Sequence, residues 1–257
     1  MIEEAASLGR LAEVRTLSER GIVQRLLDRG FGTEEIVLLA DEVGGSGVAT
    51  IDGLTGQGVA KPVAIDAARI ASRIGAAAEV EQLSRPGALE NPGGLRKFLL
   101  EVQAELRTGL QGKLTSLRDA AQRSGSGQVA LEKSAAAKTE SGGISGADII
   151  DHGSKEAIQQ KVVTGGSRPD AANPVTINLE KAASQLRGES GETPPKGYTR
   201  IIDIRLIEPS NAMFPLERAA LLDALRADGV NQATLRGVDQ VRITNGTDTH
   251  TYAASEI

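Results

Sequence analysis

An aspartate heads one apolar segment, Gly146-Ala-Asp-Ile-Ile-Asp151, and a Gln-x-Lys lies in the next, Glu156-Ala-Ile-Gln-Gln-Lys-Val-Val163. A lysine in an apolar strand is costly to strip of water unless it has a partner or a task. Asp148 supplies a hard oxygen ligand, and the Gln159 amide oxygen or a strand carbonyl supplies others. Lys161, two residues beyond Gln159, projects from the same strand face. Such a set can hold a divalent cation and a water beside a phosphate. The cation would polarise the phosphate and acidify the water, and the ammonium would offset developing charge. The chemistry indicated is phosphodiester hydrolysis. The bland alternative is an Asp at a strand start and a Lys on an exposed strand face.

Other candidates are weaker. His152, close to Asp148 and Asp151, and His250 are potential general bases in turn or edge segments. Lys181, Arg200 and Arg205, with Arg187, are candidates for a phosphate-contacting face, although helices and strands also carry such residues for solubility. The glycine-rich run Gly44-Gly-Ser-Gly47 through Gly58 lacks the Gly-Lys-Ser/Thr ending of a phosphate loop and follows a helix, so it reads as a flexible connector.

Composition narrows the field. The 257 residues contain no cysteine and two histidines, which removes thiolate zinc sites and cysteine nucleophiles and nearly removes a multi-histidine metal site. A metal would need oxygen ligands, favouring magnesium, manganese or calcium. Aromatics are 2% of the chain, too few for base-stacking platforms. The net charge is −5, and the surplus of acid lies within residues 1–90; residues 91–257 are balanced, so any basic groove must be local. No apolar run reaches membrane-spanning length and no signal-peptide pattern opens the chain, which predicts a soluble protein without a removable leader.

The elements that must position these residues follow from periodicity. Residues 3–43 read as helices, with Gly30 ending one and Thr33 opening the next. Pro62 opens another. Dense punctuation from Ser84 to Gly94 marks a boundary, giving a helical region over 1–90 and a second domain over 91–257. A long amphipathic helix is predicted over 95–122, weakened by Gly109 and Gly112. Strands are predicted at 128–132, 147–151, 157–163 and 199–207, helices at 177–186 and 216–227, and a final hairpin around Asn245-Gly246. The fold class is α/β (α+β), a mixed sheet flanked by helices.

At Asp148 and Gln159-Gln160-Lys161 the sequence resembles the PD-(D/E)XK, restriction-endonuclease-like superfamily. Asp148 matches the second-strand aspartate, and Gln159-Gln160-Lys161 matches the (D/E)-x-K signature in its Gln-x-Lys form. Gln159 departs from the usual carboxylate and removes one charge. Over about residues 95–207 the resemblance implies a core of helix, three-strand meander, helix and strand. It implies Mg2+ or Mn2+ at Asp148 and Gln159, with Glu101 or Glu105 of the leading helix as an additional acidic ligand. Lys161 would stand beside the attacking water, and Lys181, Arg200 and Arg205 beside nucleic acid, DNA in preference to RNA. The arrangement also resembles a bacterial polymorphic-toxin cassette. That implies export by a secretion system, action in the cytoplasm of a competing cell and a cognate immunity protein. The rival expectation is a non-catalytic protein-interaction module on the same fold.

Overall fold

The computed structural model describes residues 12–104, 107–131, 147–163, 174–187, 194–206 and 217–257. Residues 12–19 form α1, followed by α2 (Ile22–Asp28), α3 (Thr33–Gly56), α4 (Lys61–Arg73) and α5 (Ala77–Leu83). Then come α6 (Leu95–Ala104) and α7 (Arg107–Arg123), so the long helix expected over 95–122 is two elements; Glu105 lies outside the described residues. The remainder is β1 (Val129–Leu131), β2 (Ile149–Asp151), β3 (Glu156–Val163), α8 (Pro174–Leu186), β4 (Thr199–Leu206), α9 (Arg218–Ala227), β5 (Gln240–Thr244) and β6 (Thr249–Ala253).

The strands make one six-stranded sheet in sequential order. β1, β2 and β3 form an antiparallel meander, β3 to β4 and β4 to β5 are parallel, and β5–β6 is an antiparallel hairpin. A parallel pair needs a crossover, and α8 and α9 lie between the paired strands in the chain. The class is therefore α/β with a mixed sheet.

Strand alternation divides the sheet between two cores. On one face Ile149, Ile158 and Ile201 join Leu117, Ala120 and Ala121 of α7 in a core that runs on through α6 to Leu17, Ile51 and Leu83 of the first helices. On the other, Ile150, Ala157, Ile202 and Ile204 meet Val175, Leu179, Ala182 and Ala183 of α8, with Leu221 and Leu225 of α9. The sequence boundary near residue 90 falls inside the first of these cores: α6 packs on α4 as well as on α7. Residues 88–90 also extend the sheet beside β1, with Glu90 N donating to Val129 O and Val129 N donating to Ala88 O.

The glycine-rich stretch is not a loop. α3 runs through it, broken only at Gly44, whose φ of 70° interrupts the helical path. The glycines serve close packing. A Cβ on Gly53 would stand 2.4 Å from the Ser84 carbonyl oxygen at the end of α5. Glycine costs helix propensity here, and the nearness of α5 selects it over alanine. The buried Asp52 beside it accepts from Arg25 Nη2 at 2.7 Å and is also paired with Arg29, which fixes α2 on α3.

Gly53→Ala separates the two effects. Propensity alone would stabilise by about 1 kcal/mol, whereas overpacking against backbone costs about 1–3 kcal/mol. The expected outcome is net loss, read as a lower urea midpoint with unchanged slope; a gain in stability would contradict the close approach of α3 and α5.

Candidate functional site

The predicted residues lie on β3 and just before β2, among the apolar side chains of both strands. Gly153 and Ser154 make the turn between them, and Lys155 adopts a φ of 55°, in the left-handed region that non-glycine residues seldom occupy. Asp151 Oδ1 fixes this turn by accepting from the backbone N–H groups of Gly153 and Ser154 at 2.9 and 3.1 Å.

Asp148, just before β2, meets β3 at the expected place. Its backbone N–H donates to Ile158 O at 2.8 Å. Its Oδ2 accepts from Gln159 Nε2 at 2.7 Å and from the Gln160 backbone N–H at 2.7 Å. Gln159 is only 1% exposed, on the α8 side of the sheet with Ala157 and Val163. Lys161 follows on the same face, half-buried, with no ion pair or hydrogen bond among the described residues. Asp148 and Gln159 are thus in direct contact, and Lys161 lies two residues along the same strand face.

Glu101 is placed elsewhere. It lies on α6, with Oε2 3.7 Å from Lys113 Nζ of α7, on the α7 side of the sheet. Among the described residues no group of three or more His, Asp or Glu is arranged to hold a metal ion. A cation at Asp148 would therefore rely on one carboxylate, the Gln159 amide oxygen and strand carbonyls.

The expected basic face divides in two. Lys181 is exposed on α8. Arg200 and Arg187 close on the Gly237 turn, donating to Gly237 O at 3.4 Å and to Thr234 O at 3.3 Å. Arg205 lies an odd number of residues from Arg200 and so faces α7, where Nη2 pairs with Asp119 Oδ2 at 2.8 Å and Asp203 Oδ2 at 3.2 Å. Arg205 therefore completes a partly buried ion cluster. Burial opposes its charge, but Asp203 and Asp119 outweigh that and raise its pKa.

Sequence reasoning missed this α7-side network. Gln160 Nε2 donates to Asp119 at 2.6 Å and to Asp203 at 3.1 Å. One strand pair away, Glu156 accepts from Arg123 Nη1 at 2.6 Å and Arg242 Nη2 at 2.8 Å, and Arg123 also reaches Asp151 Oδ2 at 3.2 Å. These charges line an open cleft of about 460 Å3 with Asp119, Gln122, Ser126 and Ser154. The cleft lies on the opposite face from Gln159 and Lys161, and its charges are already paired internally. Its signals were present as an Asp inside the apolar Ile-Ile-Asp-Ile of β4 and an i, i+4 Asp119/Arg123 pair on α7.

The histidines take structural places. His152 Nδ1 lies 2.8 Å from the Tyr198 hydroxyl and Nε2 3.4 Å from Glu90 Oε2, joining the β2–β3 turn to the segment before α6. His250 is on β6, beside Tyr252 and separated from β3 by β4 and β5. No helix among the described residues is long and apolar enough to cross a membrane.

Comparison of the chain with protein-family models, with curated proteins and with solved structures found no match.

The carboxylates of the α7-side network set an acid limit on stability. Burial disfavours charge at Glu156, but Arg242 and Arg123 outweigh it and hold its pKa below the usual 4.5. Burial likewise opposes charge at Asp151, and the Ser154 hydrogen bonds with Arg123 outweigh it, holding the pKa below 3.8. Both groups bind fewer protons folded than unfolded, so their contribution is complete above about pH 5 and is lost as pH falls through the lowered folded values. Glu156→Gln, which leaves two guanidiniums short of a charge, should cost about 3 kcal/mol at pH 7. Urea titrations at pH 7 and pH 3.5 should show a smaller pH dependence in the variant than in the parent. An equal dependence would remove Glu156 from this role.

Proposed function

We propose that the chain is a metal-dependent nuclease that hydrolyses phosphodiester bonds of DNA, with RNA as the second substrate class. The observation that carries this reading is the meeting of Asp148 and Gln159 at 2.7 Å, with Lys161, which has no ion pair among the described residues, next along the same strand face. The order α7, β1–β2–β3 meander, α8 and a parallel β4 is the frame that the resemblance to PD-(D/E)XK nucleases calls for, and it supports that reading. Lys181, exposed on α8, is available to a phosphate backbone; Arg205 is committed to Asp119 and Asp203.

Asp148 offers a hard carboxylate oxygen, and the Gln159 amide would offer a second oxygen once its Nε2 is turned from Asp148; such a set would suit Mg2+ or Mn2+, and that cation would supply Lewis-acid polarisation of the phosphate. Asp148 carries the only side-chain carboxylate of the pair. The Gln160 backbone N–H anchors one of its oxygens and so orients the group. Lys161, without an ion pair among the described residues, would hold a water by hydrogen bonding and offset charge developing on the phosphate. A role as an antibacterial toxin with a cognate immunity protein rests on the resemblance to polymorphic-toxin cassettes. One observation favours a non-catalytic interaction module instead: Asp148 Oδ2 is already engaged by two N–H donors.

Supercoiled plasmid and tRNA, each with Mg2+, test the reading. Lys161→Met and Asp148→Ala should each slow cleavage by about 100-fold or more. Lys161→Met should melt no lower than the parent, since it removes a half-buried unpaired charge. Variants that cleave as fast as the parent would remove these residues from catalysis, and a parent that cleaves neither substrate would select the interaction module.

A further inference from the structure

The Gln159 carboxamide carries an inference that rests on the reading above and deepens it. An ionised carboxylate only accepts hydrogen bonds, so the 2.7 Å contact with Asp148 Oδ2 fixes the amide with Nε2 toward the aspartate. Its oxygen, the other branch of the same planar group, is therefore turned away. A divalent cation at Asp148 requires the reverse, because cations of this kind take oxygen ligands and an NH2 group offers none. The two states differ by a half-turn about Cγ–Cδ, which exchanges donor and acceptor with almost no change in shape. That matters at 1% exposure, where no larger movement has room.

We infer that Gln159 is a rotary latch on the cation site. Without metal, its donor end occupies Asp148; with metal at Asp148, the amide reverses and Oε1 becomes a ligand. The Gln160 backbone N–H stays on Asp148 Oδ2 in both states and keeps the carboxylate in place. Charge explains why a neutral amide stands here. A glutamate at 159 would set two carboxylates at the present 2.7 Å contact in a buried site, which is unfavourable until a cation separates them. The amide lets the metal-free protein fold without that repulsion. It also makes metal binding conditional, because each binding event breaks the Gln159–Asp148 bond.

The test is nuclear magnetic resonance on the full chain, following the Gln159 side-chain amide, the Gln160 backbone amide and the Asp148 carboxyl carbon during titration with Mg2+ alone. Gln159→Leu assigns the side-chain signals. Without Mg2+ the Gln159 amide protons should be protected from solvent exchange; with millimolar Mg2+ they should shift and lose protection while Gln160 keeps its own. If Mg2+ moves the Asp148 carboxyl signal and leaves the Gln159 amide unchanged, the latch is overturned and the cation site stands. If neither group responds, both are overturned. If the latch responds but plasmid and tRNA stay intact with Mg2+, the latch stands and the nuclease reading falls. A second measurement uses Gln159→Glu, whose melting temperature should rise more on addition of Mn2+ than that of the parent; an equal rise contradicts the charge argument.

Discussion

β3 is the constraint on which the rest of the structure depends, because this central strand buries polar side chains on both of its faces. Gln159 and Gln160 are each almost wholly inaccessible and point in opposite directions. A buried amide left without partners costs about 1–3 kcal/mol, so each face must present an acceptor to the amide N–H groups, although Gln160 Oε1 stays buried without a hydrogen bond. Asp148 answers Gln159 from the α8 side, and Asp119 with Asp203 answer Gln160 from the α7 side. The register of β2, the position of α7 and the pairing of β4 are thereby tied to two adjacent residues.

The α7-side network shows why such polar clusters define a structure more than they stabilise it. Desolvating Asp151, Glu156, Arg123 and Arg205 is unfavourable, and the ion pairs largely offset that cost rather than exceed it. What they give is geometry. Arg123 of α7 reaches Asp151 and Glu156 on two strands, and Arg242 of β5 reaches the same Glu156, so helix and sheet fit in one alignment. The apolar cores on either side supply the driving force, and they are made of Leu, Ile, Val and Ala because the chain has few aromatics.

The two faces of β3 differ in how their charges are met. On the α7 side Arg123, Arg205 and Arg242 are each paired with acid, and the open cleft there is lined by charges already matched to one another. On the α8 side Asp148 and Gln159 are bonded to each other, and Lys161, two residues along the same face, has no ion pair or hydrogen bond among the described residues. The contrast between the two faces is thus one of pairing: a mutually matched ion cluster on one, and on the other a half-buried ammonium without an ion pair among the described residues.

Much of the layout was legible in the sequence because it follows from local periodicity. The alternation in Thr199–Leu206, the helical spacing before Gly229 and the Asn245-Gly246 turn each act within a few residues, and β4, α9 and the β5–β6 hairpin lie where these signals place them. The i, i+2 spacing of Gln159 and Lys161 likewise fixed their common face, and Asp148 falls beside Gln159. The glycines of α3 misled because their cause is distant: Ser84 closes on Gly53 from another helix. Arg205 misled for the same reason, since Asp119 and Asp203 claim it through packing and strand pairing. The sequence by itself determined which residues share a strand face, since backbone geometry sets that alternation. Only the tertiary structure decided which charges are matched with each other, since burial and pairing depend on elements brought together from far apart in the chain.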